Sequence, residues 1–290
     1  MNGFILLNKP KGLTSQQAVS RVKRILKIKK AGHAGTLDPF AEGLLPIAIN
    51  EATRAMEYIF NNDKEYEFTI KFGAITDTLD LEGKIIEETN VIPSLESIKN
   101  VLPEFLSPLS QIPPKFSALK INGKRAYEMA RNDVEFDLEP RNIEVYNLDI
   151  ISAQHGEITL RTLVSKGTYV RSLARDIAIK AGSLGHVSYL KRTKFGKINI
   201  NKTITLDYLE KVYYDDPAYK FLYSIEEILD DIPVLQIGEE EFKRLSLGQK
   251  IMANQPLSET IYLLKYELHI VSIAKNIENY LQPIKNLRSF

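Results

Sequence analysis

Sixteen residues, Ala31 to Pro46 (AGHAGTLDPFAEGLLP), constrain this 290-residue chain more than any other stretch, because they hold three glycines and two prolines. Glycine opens backbone angles that other residues avoid, whereas proline fixes one dihedral and removes an N–H donor. Such a run is neither a plain helix nor a plain strand. It predicts a stiff, shaped loop in which Asp38, the residue before Pro39, is pushed toward extended geometry. A carboxylate held in place before a substrate arrives suits a nucleophile or a general base. The other use of Asp-Pro is to open a turn, with the aspartate capping its own backbone. Two features favour chemistry here: His33, five residues upstream, and a basic helix leading into the loop.

The totals narrow the field. The length accommodates one large domain, or a large one with a small one. A hydrophobic content of 44% with 26% charged residues is ordinary for a globular chain. The absence of cysteine excludes a disulfide framework and thiolate metal sites. The four histidines, at 33, 155, 186 and 269, lack metal-ligand spacing, so no metal is expected. With no apolar run of membrane-spanning length and no signal-peptide pattern, a cytoplasmic enzyme is expected. The net charge of +1 hides an asymmetry: Ser165–Lys202 has nine Lys/Arg and one acid, Ile204–Glu241 two basic residues and eleven acids. A basic block of this kind predicts a face for a polyanion, although charge blocks also serve as plain solvated surface.

Along the chain, Phe4 to Asn8 reads as a buried strand. Thr14 and Gln17 form a capping-box signature for a helix over Ser15 to Ile28, with Ala18, Val22, Ile25 and Leu26 on its apolar face. Six basic residues lie between Arg21 and Lys30, on the exposed side. Leu44 to Ile49 reads as a strand and Ala52 to Phe60 as a short helix. Lys64 to Phe72 alternates, with Tyr66, Phe68, Ile70 and Phe72 on one face. Ser94 caps a helix to about Leu106, and Gln111 to Tyr127 reads either as an ordinary Pro-rich connection, which composition alone slightly favours, or as an exposed, partly ordered basic arm that orders on RNA. Ile143–Ser152 and Glu157–Ser165 pair as strands around His155-Gly156. A helix after Arg171, with Leu173, Ile177 and Ala181 inward, stops at Gly182. Gly185 to Lys194 is another strand, Tyr208 to Asp231 a helical connection, and the remainder from Ile232 a small β-rich appendage.

The chain carries no Walker loop, dinucleotide-binding glycine fingerprint or nucleophile-elbow serine. What remains is carboxylate chemistry assisted by Tyr, His or Arg. Arg171, in the basic block, is the expected partner that keeps Asp38 ionised and aligned, with phosphate or solvent contact as its other reading.

Gly32-His33-x-Gly35-x-Leu37-Asp38-Pro39-x-Ala41-x-Gly43-x-Leu45-Pro46 resembles the catalytic-loop motif of the TruB-type pseudouridine synthases, which isomerise the T-loop uridine of tRNA (position 55). Five further segments are similar to that family in the same order. They are Lys64-x-Tyr66, Thr76-Asp77-Thr78-x-Asp80, the stretch from Pro113-Pro114 to Tyr127, and Ser165 to Leu173, followed by Gly185-His186-Val187-x-Tyr189-Leu190-x-Arg192-Thr193 in the strand after it. Phe116 and Val164 depart from the family's common tyrosine and cysteine.

The resemblance implies an α+β pseudouridine-synthase fold, with a central mixed, mainly antiparallel sheet flanked by helices and a small C-terminal β-rich, PUA-like domain. The implied division is a catalytic domain over residues 1–231, with a tRNA-gripping insertion at about 107–140, and an RNA-binding domain over 232–290. The implied mechanism needs no cofactor. The target base is flipped out of the folded loop, with His33 filling the vacated space. Asp38 attacks at C1′ of the ribose or C6 of the uracil, and the base rejoins through C5. Tyr66 packs on the uracil and assists loss of the C5 proton. Tyr169 and Arg171 orient base and nucleophile, and Leu190 lines the base pocket. Lys9, Arg54, Lys115, Lys120, Arg125, Lys166 and Arg192 are the expected RNA contacts. The expected partner is the tRNA T-arm, without a guide RNA, metal or membrane, and the expected state is a monomer. The alternative is a tRNA-folding chaperone with little or no catalysis.

Overall fold

The structure, a computed structural model, describes residues 1–60, 62–215 and 220–287. The chain forms two compact units: Met1–Asp38, Leu45–Asn61 and Asn201–Phe290 make one, and Pro39–Leu44 with Asn62–Ile200 make the other.

In the first unit the strand Gly3–Lys9 pairs antiparallel with Leu222–Tyr223, Phe4 lying opposite Tyr223. The short strand Ala31–His33 pairs antiparallel with Glu42–Ile49, which begins two residues earlier than its sequence predicts and contains Pro46. The Pro46 carbonyl is still used, accepting from Ala34 N–H at 2.9 Å. Helix Ser15–Ile25 opens with both halves of the Thr14/Gln17 capping box and buries Ser15, Ala18, Val19, Val22 and Ile25. It ends before Ile28 because Lys27 takes a left-handed φ of +53°. The predicted helix at 52–60 is a 3₁₀ turn, Asn50–Ala55, running into Met56–Ile59.

The acidic stretch is not one helix. Leu206–Asp215 is helical, then Leu222–Tyr223 is a strand, and Ser224 restarts a short helix at Ile225–Ile228 through its own capping box. Residues 216–219 of that expectation lie outside the described residues. The β-rich appendage is a five-stranded sheet ordered Val234–Gln236, Ile261–Tyr266, His269–Ile277, Tyr280–Asn286, Ile251–Met252. Its core includes Leu245, Ile251, Tyr262, Leu264, Val271 and Leu281. Within the same unit it is tied to the 50–59 segment by Lys285–Glu57 at 3.1 Å and by Arg54 donating to the Asn286 carbonyl.

The second unit is built on the order Gly185–Phe195, Lys64–Phe72, Glu157–Val164, Arg141–Gln154, Pro108–Gln111, every neighbouring pair antiparallel. Glu42 and Gly43 add to Gly185–Phe195 in parallel, opposite Lys191 and Arg192. Tyr66, Phe68, Ile70 and Phe72 are buried as their alternation predicts. The opposite face carries a charged ladder: Glu67 with Arg161 and Glu65 with Lys194, each at 2.8 Å. Helix Val170–Lys180 buries Leu173 and Ile177 and stops at Gly182, whose φ of +79° suits a glycine. Ala181, expected inward, is only half-buried at the helix end. The basic arm is regular in part, with a hairpin Lys120–Ile121/Lys124–Arg125 and a helix Ala126–Arg131.

Candidate active site

Asp38 is half-buried and follows a braced residue. Ser15, the first residue of its helix and 2% exposed, bonds both backbone groups of Leu37. Its hydroxyl accepts from Leu37 N–H at 2.8 Å and donates to Leu37 C=O at 2.9 Å. Upstream, Gly35 turns the chain at φ +76°. His33 is half-buried on the Ala31–His33 strand, opposite Ile47. The Asp38 main chain is thus held on one side by Ser15 and on the other by the fixed φ of Pro39.

The second unit assembles the other predicted residues. Tyr66 is 8% exposed and sits opposite Arg192, with Leu190 opposite the next inward residue, Phe68. Arg171 is 4% exposed and joins three segments. Its Nη1 donates to Thr78 C=O at 2.7 Å and to Asp80 Oδ2 at 3.3 Å, and its Nη2 donates to Phe116 C=O at 2.9 Å. Asp80 is held in turn by Thr78 Oγ1 at 2.6 Å and by Glu82 N–H at 3.0 Å. Between them Leu79 adopts φ +63°, a conformation rare for a branched side chain, which this bonding maintains. Tyr169 is the helix N-cap, and its backbone is clasped by Gln111: Tyr169 N–H donates to Oε1 at 2.8 Å and Nε2 donates to Tyr169 C=O at 3.1 Å. Sequence reasoning missed Ser15 and Gln111, because each bonds a residue distant in the chain and neither residue type stands out alone.

The expected RNA contacts divide. Lys115, Lys120, Arg125 and Lys166 are exposed, as phosphate contacts require. Arg54 is exposed too, but pairs with Glu51 at 2.9 Å as well as with Asn286. Lys9 and Arg192 are corrections. Lys9 is fully buried, its Nζ donating to the carbonyls of Pro10 at 2.9 Å and Leu13 at 2.7 Å. Arg192 is 1% exposed, with Nε donating to Leu44 C=O at 2.7 Å and the guanidinium over the Phe195 ring at 5.3 Å. Cations enclosed in this way do not present themselves to a backbone phosphate. Burial, and then Arg192, push the neighbouring Lys64 ammonium down to about 8. Burial, and then the Glu42 carboxylate it donates to at 3.0 Å, push the Tyr189 phenol up.

Among the described residues no group of three or more His, Cys, Asp or Glu is arranged to hold a metal ion, and no helix is long and apolar enough to cross a membrane.

This fold is that of the pseudouridine synthases. It superposes on the archaeal box H/ACA sRNP Nop10-Cbf5 complex with a TM-score of 0.73, covering 99% of this chain and 86% of that one at 22% identity. The small C-terminal sheet is PUA-like. The chain belongs to the TruB family: the model for the TruB family pseudouridylate synthase N-terminal domain matches residues 23–170, and that for the tRNA pseudouridylate synthase B C-terminal domain matches 171–230. It is 42% identical over 269 residues to the tRNA pseudouridine synthase B of Caulobacter vibrioides, covering 92% of this chain and 86% of that relative. To the namesake from Zymomonas mobilis it is 44% identical over 257 residues, covering 87% and 85%. It is a pseudouridine synthase.

Proposed function

We propose that this chain converts the T-loop uridine of tRNA, position 55, to pseudouridine without a cofactor or a guide RNA. The observation that carries the reading is the identity of 42% over 92% of the chain to a relative named for tRNA pseudouridylation. Asp38 is the nucleophile, on a loop braced before substrate arrives. The uridine is flipped out of the loop to reach it, with His33 taking the vacated space. Tyr66 packs on the uracil and assists loss of the C5 proton, Leu190 lines the base pocket, and Tyr169 and Arg171 orient base and nucleophile. The insertion at 107–140 grips the T-arm through Lys115, Lys120 and Arg125, and Lys166 adds a phosphate contact. Residues 1–231 serve as the catalytic domain and 232–290 as the RNA-binding domain of a monomer.

The test is site-resolved pseudouridine formation in a T-arm stem-loop, with purified protein and no other RNA. Product at the T-loop position alone, and none when that uridine is replaced by cytidine, is the expected result. Tight binding without product would instead make the chain a tRNA-folding chaperone.

A further inference from the structure

We infer that Ser15 is a positioning residue for the reaction, and that its hydroxyl sets the backbone from which the Asp38 carboxylate acts. The inference rests on the reading of Asp38 as nucleophile.

A serine hydroxyl offers one donor and two acceptor lone pairs. Here one buried oxygen uses both functions on a single residue, Leu37, 22 positions away and immediately before Asp38. A backbone N–H and C=O buried together need partners, and Leu37 itself lies outside any helix or strand. With both groups of Leu37 fixed, the peptide leading into Asp38 has little freedom left. Pro39 removes the freedom on the far side.

Ser15 is itself anchored. It is the first helical residue, directly after the Thr14 cap, whose side chain accepts from Gln17 N–H at 3.0 Å while Thr14 N–H donates to Gln17 Oε1 at 2.8 Å. The helix behind it buries Ala18, Val19 and Val22. The nucleophile's peptide is therefore referenced to a rigid helix end rather than to a free loop. Ser15 acts through Leu37 and need not touch RNA.

The experiment compares wild type, Ser15→Ala, Ser15→Thr and Asp38→Asn in single-turnover assays at saturating T-arm RNA, with Kd for the same RNA and thermal midpoint measured in parallel. Displacing a reacting group by a fraction of an ångström to 1 Å costs roughly 10–100-fold in rate. Ser15→Ala is expected to slow the reaction by about that factor while Kd stays within about twofold of wild type. Ser15→Thr, which keeps the hydroxyl, is expected to recover most of the rate. Should Ser15→Ala fail to fold, Ser15→Cys replaces it, with a weak donor in the same space and an intermediate rate expected. An alanine or cysteine variant with wild-type rate overturns the inference, as does a rate loss matched by equal losses in Kd and midpoint. Activity in Asp38→Asn would instead remove the nucleophile assignment, a failure distinct from either result at Ser15.

Discussion

Arg171 and Asp80 form an ion pair at 3.3 Å in which the two side chains are 4% and 5% exposed. Breaking a buried pair by removing one partner leaves the other charge uncompensated and costs about 3–5 kcal/mol. Asp80→Ala is therefore expected to lose stability on that scale by denaturant unfolding and to lose activity through the released Arg171. Asp80→Asn keeps an acceptor for Arg171 and loses less. Equal stability of Asp80→Ala and wild type would show that the pair does not hold the 76–80 loop.

Gln111 joins the end of the strand Pro108–Gln111 to Tyr169, the N-cap of the Arg171 helix. Replacing it with methionine keeps length and volume but removes the amide oxygen that Tyr169 N–H donates to, while Tyr169 C=O keeps the Leu173 N–H at 3.0 Å. Loss of such a hydrogen bond costs on the order of 1 kcal/mol. Gln111→Met is expected to unfold at lower urea than wild type, and an unchanged midpoint would show that the Gln111 clasp on Tyr169 adds no stability.

Gly43 lies at φ +107°, and a Cβ there would stand 2.4 Å from the Arg192 carbonyl oxygen. Gly123, at φ +84°, has nothing within 4 Å of its Cβ position. Gly43→Ala combines strain with overlap and should cost about 2–5 kcal/mol. Gly123→Ala carries backbone strain alone and should cost about 1–2 kcal/mol. Unfolding curves for the two variants compare the effects directly, and a smaller loss at Gly43 would contradict the packing described.

Lys64 gives the stability a pH dependence. Its folded pKa, about 8, lies below the ordinary 10.5, so burying the ammonium opposes folding wherever it is charged. Between those two values the unfolded chain binds more protons than the folded one, and stability rises with pH. Below pH 8 the penalty is fully present. Lys64→Met is expected to flatten this rise in chemical unfolding between pH 8 and 10; an unchanged slope would locate the titration elsewhere.

Local signals in the sequence were good guides to the fold. The Thr14/Gln17 box, the glycine stop at 182, the turn at His155-Gly156 and the alternation from Lys64 to Phe72 all act within a few residues, and each appears where the sequence puts it. What was not legible depends on tertiary placement. Lys9 and Arg192 look like surface cations in a list of basic residues, yet the loop carbonyls of Pro10 and Leu13 accept from the first and the strand carbonyl of Leu44 from the second. The acidic stretch reads as a helical connection, yet it contains the strand Leu222–Tyr223 and a fresh helix start at Ser224. In the site, the loop motif drew attention to Asp38, whereas Ser15 and Gln111 brace residues 22 and 58 positions away and carry no pattern of their own.

In the proposed function Asp38 performs covalent chemistry on a tRNA uridine. The most direct measurement is pseudouridine formation in a T-arm stem-loop by wild type and Asp38→Asn, with RNA affinity measured for both. The expected result is product at the single T-loop position with wild type, none with Asp38→Asn, and similar affinity for the two. Product from Asp38→Asn at a rate near that of wild type would show that Asp38 is not the nucleophile.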